Sequence, residues 1–162
     1  MTDAFRFERG MPDQAGAIRD LTLRAYAKWV PITPRKPRPM TADYDAALID
    51  HRFDCLWDGD RLIGLIETVA EGDELLIVNV AVEPECQGKR LGVRLMRHAE
   101  AIAREAGLDG TRLYTNKLMT ANIALYEALG YSFEKETHHE GGAVAVHMVR
   151  PIGEADLQST SP

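Results

Sequence analysis

Between Leu75 and Val82 the chain reads LLIVNVAV, a nearly unbroken apolar run with β-branched residues, and this pattern predicts a buried strand. The period then changes. From Val93 to Arg104 the apolar positions Val93, Met96 and Ile102, with several alanines, fall on one side of a helix. Gln87, Gly88 and Gly92 occupy the short loop between the two segments. Upstream, Phe5 to Arg9 alternates apolar and charged residues and predicts a first strand. Pro12 to Trp29 predicts a helix, because Ala17, Ile18, Leu21, Ala25 and Tyr26 make a helical stripe and Asp13 stands close to its start.

Pro31, Pro34, Pro37 and Pro39 forbid regular structure over a basic loop that holds Arg35, Lys36 and Arg38. Thr41 is the expected cap of a second helix through about His51, with Asp43 and Asp45 near its positive end. Phe53 to Trp57 and Arg61 to Val69 flank Asp58-Gly59-Asp60, which signals a hairpin. Glu71-Gly72-Asp73 turns the chain into the Leu75 strand. After the Val93 helix, Gly107 stops the chain, Arg112 to Thr115 predicts a strand, and Thr120 to Leu129 predicts a helix with Gly130 at its C′ position. Tyr131 to Glu136 and Ala143 to Val149 predict a last antiparallel pair around Glu140-Gly141-Gly142. The expected order is β-α-α-β-β-β-α-β-α-β-β, in one domain over residues 1–152, followed by a frayed polar tail over 153–162.

Strand, glycine loop and helix together form an arrangement that binds phosphate. The first N–H groups of a helix lack internal partners, and the helix dipole adds partial positive charge there. Gly88 and Gly92 let the backbone approach a pyrophosphate, and Lys89, Arg90 and Arg94 add charge of the right sign. The loop lacks the Gly-Lys-Ser/Thr ending of a P-loop, which weighs against a simple nucleotide-phosphate binder.

Val80-Ala81-Val82 followed by Gln87-Gly88-Lys89-Arg90-Leu91-Gly92 resembles the acyl-CoA-binding signature of the GNAT N-acetyltransferase superfamily, Gln/Arg-x-x-Gly-x-Gly/Ala after a strand. About thirty residues on, Asn122-Ile123-Ala124-Leu125-Tyr126 and then Gly130-Tyr131 resemble that family's second element. The two in this order make a joint signal far more specific than either alone. One departure is plain: Arg90 stands where the family usually has its first signature glycine, so the backbone there must tolerate a side chain. The resemblance implies an α/β (α+β) GNAT fold: a mixed, mostly antiparallel sheet flanked by helices and splayed between its fourth and fifth strands. It implies acetyl-CoA as cosubstrate and no metal. Pantetheine would pair with backbone groups of the fourth strand around Val80, Ala81 and Val82, since splayed strands leave N–H and C=O groups that need partners. The pyrophosphate would sit on Gln87 to Val93, that is Gln87, Gly88, Lys89, Arg90, Leu91, Gly92 and Val93.

The implied reaction is transfer of the acetyl group of acetyl-CoA to a primary amine of a small molecule or peptide, by direct attack in a ternary complex. The other class left open is a non-catalytic acyl-CoA-binding or regulatory module on the same fold. Tyr126, four residues after Asn122 and on the same helix face, is the implied partner of the departing sulfur; its other reading is an aromatic packed on Leu129 and Ile123. A phenol of pKa about 10 protonates a thiolate of pKa about 8.5 uphill by about 2 kcal/mol, which favours hydrogen bonding over proton transfer. Asn122 would bond pantetheine or the neighbouring loop. Related sequences often carry a basic Glu on the fourth strand beside Asn79; this chain has Val78 there. Glu67 and Glu74 are the substitutes, and a solvated strand position is the preferred reading for Glu74.

Composition narrows the setting. A chain of 162 residues suits one domain with a sizeable core, and its net charge of −6 argues against broad nucleic-acid or anionic-membrane binding. The opening MTDAFRFERG has no apolar signal region, and two cysteines, Cys55 and Cys86, suggest no disulfide framework; a cytoplasmic protein is expected. His51, His98, His138, His139 and His147 show no metal-ligand spacing. The Pro31–Pro39 loop reads as a solvated connector, a substrate wall or a contact in a homodimer.

Overall fold

A computed structural model describes residues 4–152 and places seven strands in one sheet, in the order β1-β2-β3-β4-β5-β7-β6. The strands are β1 Phe5–Arg9, β2 Arg52–Asp58, β3 Arg61–Glu71, β4 Glu74–Val82, β5 Gly110–Asn116, β6 Ser132–His138 and β7 Val144–Pro151. The helices are α1 Ala15–Tyr26, α2 Tyr44–Asp50, α3 Leu91–Glu105 and α4 Thr120–Ala128. The element order is the one expected from the sequence. Every strand pair is antiparallel except β4 with β5.

The helix-forming stripes cover both faces of this sheet. On one face α3 buries Leu95, Met96 and Ala99 against Ile63, Ile66, Leu75, Ile77 and Met148. On the other, Ile18, Leu21 and Ala25 of α1 and Tyr44 of α2 pack on Phe53, Cys55 and Leu65. Full burial of a Leu or Ile side chain contributes about 1.5–3 kcal/mol, so two such layers account for most of the cohesion.

Two features position the site. First, β4 and β5 pair only from Glu74 to Ile77 against Gly110 to Leu113, and the strands then part. Second, Thr68 faces Ile77 while Glu67 faces Asn79, so Val78 is an extra residue, a β-bulge. Residues two apart in a strand normally share a face. The bulge breaks that rule: Ile77 joins the α3 core, while Asn79 turns to the opposite face and bonds α1 and α2. The kink falls where the sheet begins to split.

Several local expectations shift. Asp43, not Thr41, caps α2: its carboxylate accepts from the Ala46 N–H at 3.2 Å, while the Thr41 hydroxyl donates to the Arg38 carbonyl. α3 begins at Leu91, two residues before the expected start at Val93, and Leu91 is the first residue of its buried stripe with Leu95, Met96 and Ala99. Gly130, at φ 100°, ends α4 as the C′ residue. Pro151 closes β7 and Ile152 is buried; the expected frayed tail 153–162 lies outside the described residues. Among the described residues no helix is long and apolar enough to cross a membrane.

Asp54 shows how the β2 face is held together. Burial alone would raise its carboxyl pKa, but hydrogen bonds from His98 and Arg52 outweigh that and leave it lowered. His98 also stacks on Phe7 at 3.9 Å, so its role is structural.

Candidate active site

The gap between β4 and β5 opens into two cavities. One, of about 380 Å³, runs past Val80 and Val82, the loop residues Gln87, Gly88 and Arg90, the first turn of α3 and Lys28 in the short turn that follows α1. The other, of about 360 Å³, lies across the gap, between the proline loop, β5 and β7. Four residues line both: Tyr26, Val80, Asn122 and Tyr126. They mark the place where groups brought along the two cavities meet.

The first cavity has the chemistry of an anion cradle. Leu91, Gly92 and Val93 form the first turn of α3, whose N–H groups have no helical partner. Gly88 has φ 89° and open space where a Cβ would point, so its backbone is presented bare. Arg90 has φ 62°, the one non-glycine in the left-handed region among the described residues. The position therefore keeps the backbone a glycine would adopt and accepts a side chain at a strain of about 1–3 kcal/mol. Arg90 and Lys28 add positive charge to the lining, whereas Lys89 is exposed and does not line the cavity. A pyrophosphate fits this set of donors and charges.

On β4, the Val80 carbonyl accepts from the Tyr26 hydroxyl at 3.2 Å and the Val82 carbonyl from the Gln87 amide at 3.2 Å. Both carbonyls thus face the gap and take side-chain donors where a neighbouring strand would otherwise bond. Ala81 sits in register with Leu65 of β3, and its side chain is buried in the α1 core. Lys28 donates to the Gln87 side chain at 3.2 Å and ties α1 to the loop.

Tyr126 is half-buried, and burial pushes its phenol up to about 12. Its hydroxyl has no protein hydrogen-bond partner among the described residues, while its ring lies 6.2 Å from that of Tyr131. The Tyr131 hydroxyl is occupied by Thr111 at 2.7 Å and by Glu100, so that ring is part of the core. With Tyr126 near 12, proton transfer to a thiolate of pKa about 8.5 is uphill by about 5 kcal/mol. The phenol is chemically a hydrogen-bond donor at this position.

Tyr26, which the sequence places in an apolar stripe, donates to the Asn79 side chain at 2.9 Å. Burial, first of all, holds its pKa well above the ordinary phenol value. Asn79 passes the connection on to the Tyr44 hydroxyl at 3.2 Å, which donates to the Pro39 carbonyl at 2.6 Å. The junction of the two cavities and the proline loop are thereby joined by one hydrogen-bonded chain. Sequence patterns could not find Tyr26, Asn79 or Lys28, since each owes its place to long-range packing.

Glu67 is neither solvated nor part of a cavity wall. It is 3% exposed and accepts from, or shares a proton with, His51 Nδ1 at 2.6 Å. Burial raises its pKa, and the His51 hydrogen bond opposes the rise only in part. Its cross-strand partner Asn79 is the residue that lines the second cavity. Val78, the bulge residue, lines that cavity with an apolar side chain, and Glu74 is ion-paired with Arg112 at 3.0 Å. Among the described residues, no Asp or Glu lines the second cavity. Among the described residues, no three His, Cys, Asp or Glu side chains gather as metal ligands.

The family model for the Acetyltransferase (GNAT) family matches residues 17–131. A mycothiol acetyltransferase of Geodermatophilus obscurus is 34% identical over 87 residues, which are 49% of this chain and 28% of that protein. The chain spans well under half the length of the curated relatives it matches. Among solved structures, the ribosomal-protein-S18-alanine N-acetyltransferase of Escherichia coli superposes with a TM-score of 0.76 at 21% identity, over 92% of this chain and 94% of that one. The PaiA N-acetyltransferase of Thermoplasma acidophilum, solved in complex with coenzyme A, gives 0.73 at 16% identity, over 90% and 98%. These two likenesses establish the shared fold.

Proposed function

We propose, starting from the GNAT acetyltransferase family to which this chain belongs, that it transfers the acetyl group of acetyl-CoA to a primary amine. The observation that carries this reading is the junction of two cavities at Tyr26, Val80, Asn122 and Tyr126. One cavity supplies a pyrophosphate cradle and a strand edge that no neighbouring strand covers; the other leaves room for an acceptor. The PaiA structure holds coenzyme A, which supports the assignment of the first cavity to that cosubstrate.

In this reading the Val80 and Val82 backbone pairs with pantetheine, and Gln87, Gly88, Arg90 and the α3 N-terminus hold the pyrophosphate. The amine nitrogen attacks the thioester carbonyl, the carbon–sulfur bond breaks, and the thiolate leaves. Tyr126 donates a hydrogen bond to the sulfur as its charge develops, an interaction strongest in the transition state. The ammonium proton goes to solvent or to Glu67, the buried carboxyl beside Asn79 on the neighbouring strand, which it would need a bridging water to reach. A carboxyl with a raised pKa is a better match to that task than an ordinary one.

The test is acetyl-CoA with a panel of primary amines, reading CoA release and the mass of the acetylated product. Product formation, with acetyl-CoA saturable by calorimetry, supports the enzyme. Tight acetyl-CoA binding without product from any amine supports the regulatory module instead, a reading favoured only by the lack of a carboxylate in the acceptor cavity.

A further inference from the structure

We infer that the acceptor is a small amine that also carries a carboxylate, recognised by the cationic proline loop; this rests on the reading of the second cavity as the acceptor site. Although the chain has a net charge of −6, the ionisable residues that line this cavity among the described residues, apart from its tyrosines, are Arg35, Lys36, Arg38, His139 and His147. An amine acceptor is itself a cation at neutral pH, and for a simple cationic amine such a wall is repulsive. The charge makes sense when the amine brings a compensating anion.

Three observations show that the charge is available and placed. First, Arg35, Lys36 and Arg38 have no ion-pair partner among the described residues, whereas Glu67 is paired with His51, Glu136 with Lys117 and Glu134 with Arg112. Second, the loop is held in position. The Thr33 hydroxyl donates to the Arg35 carbonyl at 2.7 Å, and the Tyr44 hydroxyl holds Pro39. Prolines further limit its freedom, so little ordering entropy is lost on binding. Third, these cations do not serve the cosubstrate: none of the three lines the first cavity, which has its own charges in Lys28 and Arg90.

The polarity of the cavity orients the acceptor. Its junction end holds the Tyr26 and Tyr126 phenols and the β4 backbone, which suits the reacting nitrogen. The loop forms another wall, and guanidinium groups there suit a carboxylate through paired, charge-assisted hydrogen bonds.

The experiment compares ω-amino carboxylates with alkylamines of equal chain length, whose amines have similar pKa values. The parent enzyme should show kcat/KM at least tenfold higher for the carboxylate member of a pair, with the gap shrinking in added salt. The exposed triple variant Arg35→Gln/Lys36→Gln/Arg38→Gln should lose most of that gap, by raising KM for the carboxylate, while acetyl-CoA affinity stays unchanged. Equal rates for both members of every pair, or an equal loss for both in the variant, would overturn the inference. Peptides with an acidic residue after the terminal amine form a third arm; their preference over free amino carboxylates by more than tenfold would overturn the small-molecule assignment. Calorimetric titration of an ω-amino carboxylate into the CoA complex reads the charge recognition directly. Binding lost in the triple variant supports the inference even when no amine is acetylated, a result that would sink the enzyme reading alone. No binding to the parent overturns it.

Discussion

The two cavities that meet at Tyr126 are built in opposite ways. The cavity we propose for the cosubstrate draws most of its wall from one local unit, the end of β4, the loop and the start of α3, with α4, the end of α1 and the turn after it closing it. Much of its recognition is backbone: a strand edge and a helix N-terminus, whose donors exist whatever the side chains are. The acceptor side is assembled from the proline loop, β4, β5, α4 and the β6–β7 pair, and its recognition is by side chains. A backbone-built site is portable and tolerates Arg90 in place of glycine. A side-chain-built site can change specificity one residue at a time without disturbing the cosubstrate.

The sharpest way to test this division is at the junction. Tyr126→Phe should lower kcat about a hundredfold and leave the acetyl-CoA dissociation constant nearly unchanged, because a transition-state donor is lost and ring packing is kept. Single-turnover rates check it, and unaltered rates would reduce Tyr126 to packing. Next in size is Gly88→Asp, which forces a side chain onto a φ of 89° and sets a negative charge in the cradle. The acetyl-CoA dissociation constant should rise by more than about tenfold, with acceptor KM unchanged in assays saturated with acetyl-CoA. A change in acceptor KM alone would break the separation of the two sides.

Glu67→Gln probes the connection behind the acceptor wall. The raised pKa of Glu67 means that, on acidification, it becomes protonated above the ordinary carboxylate range. The parent's kcat should therefore fall as pH drops through that range, and the variant should lose this limb and about tenfold of the plateau. The same acid limb in both proteins would assign it to the amine alone. The smallest effect is expected for Arg90→Gly. Relief of the left-handed strain should exceed the entropic cost of glycine and raise Tm by about 2–4 °C, while loss of the cation weakens acetyl-CoA binding a few-fold at low salt. A lower Tm would mean that Arg90 contributes stabilising contacts of its own.

Much of the frame was legible from the chain. The strand of Leu75 to Val82, the stripe of α1, the hairpin at Asp58-Gly59-Asp60 and the helix stop at Gly130 all follow from periodicity and turn chemistry, which act over a few residues. The helix boundary at Leu91 was hidden because Leu91 sits between Gly88 and Gly92 and reads as part of the glycine loop, although it is in phase with Leu95 and Ala99, and the cap of α2 because Thr41 and Asp43 are both competent cap residues. The bulge at Val78 was hidden for a different reason: in an unbroken apolar run the strand shows no alternation whose phase could be seen to slip.

What the sequence determined by itself is what local chemistry determines: a strand, a glycine loop and a helix start that must leave N–H groups unpaired, and a Tyr one turn after Asn122. The tertiary structure alone decided which residues line the second cavity, the proposed acceptor site. Tyr26 meets Asn79 across 53 positions, Glu67 is buried under His51, and the basic loop faces β4 and β5 across the split sheet. Such neighbours are chosen by packing over long sequence separations and by a one-residue slip in a strand, and no local pattern carries that information.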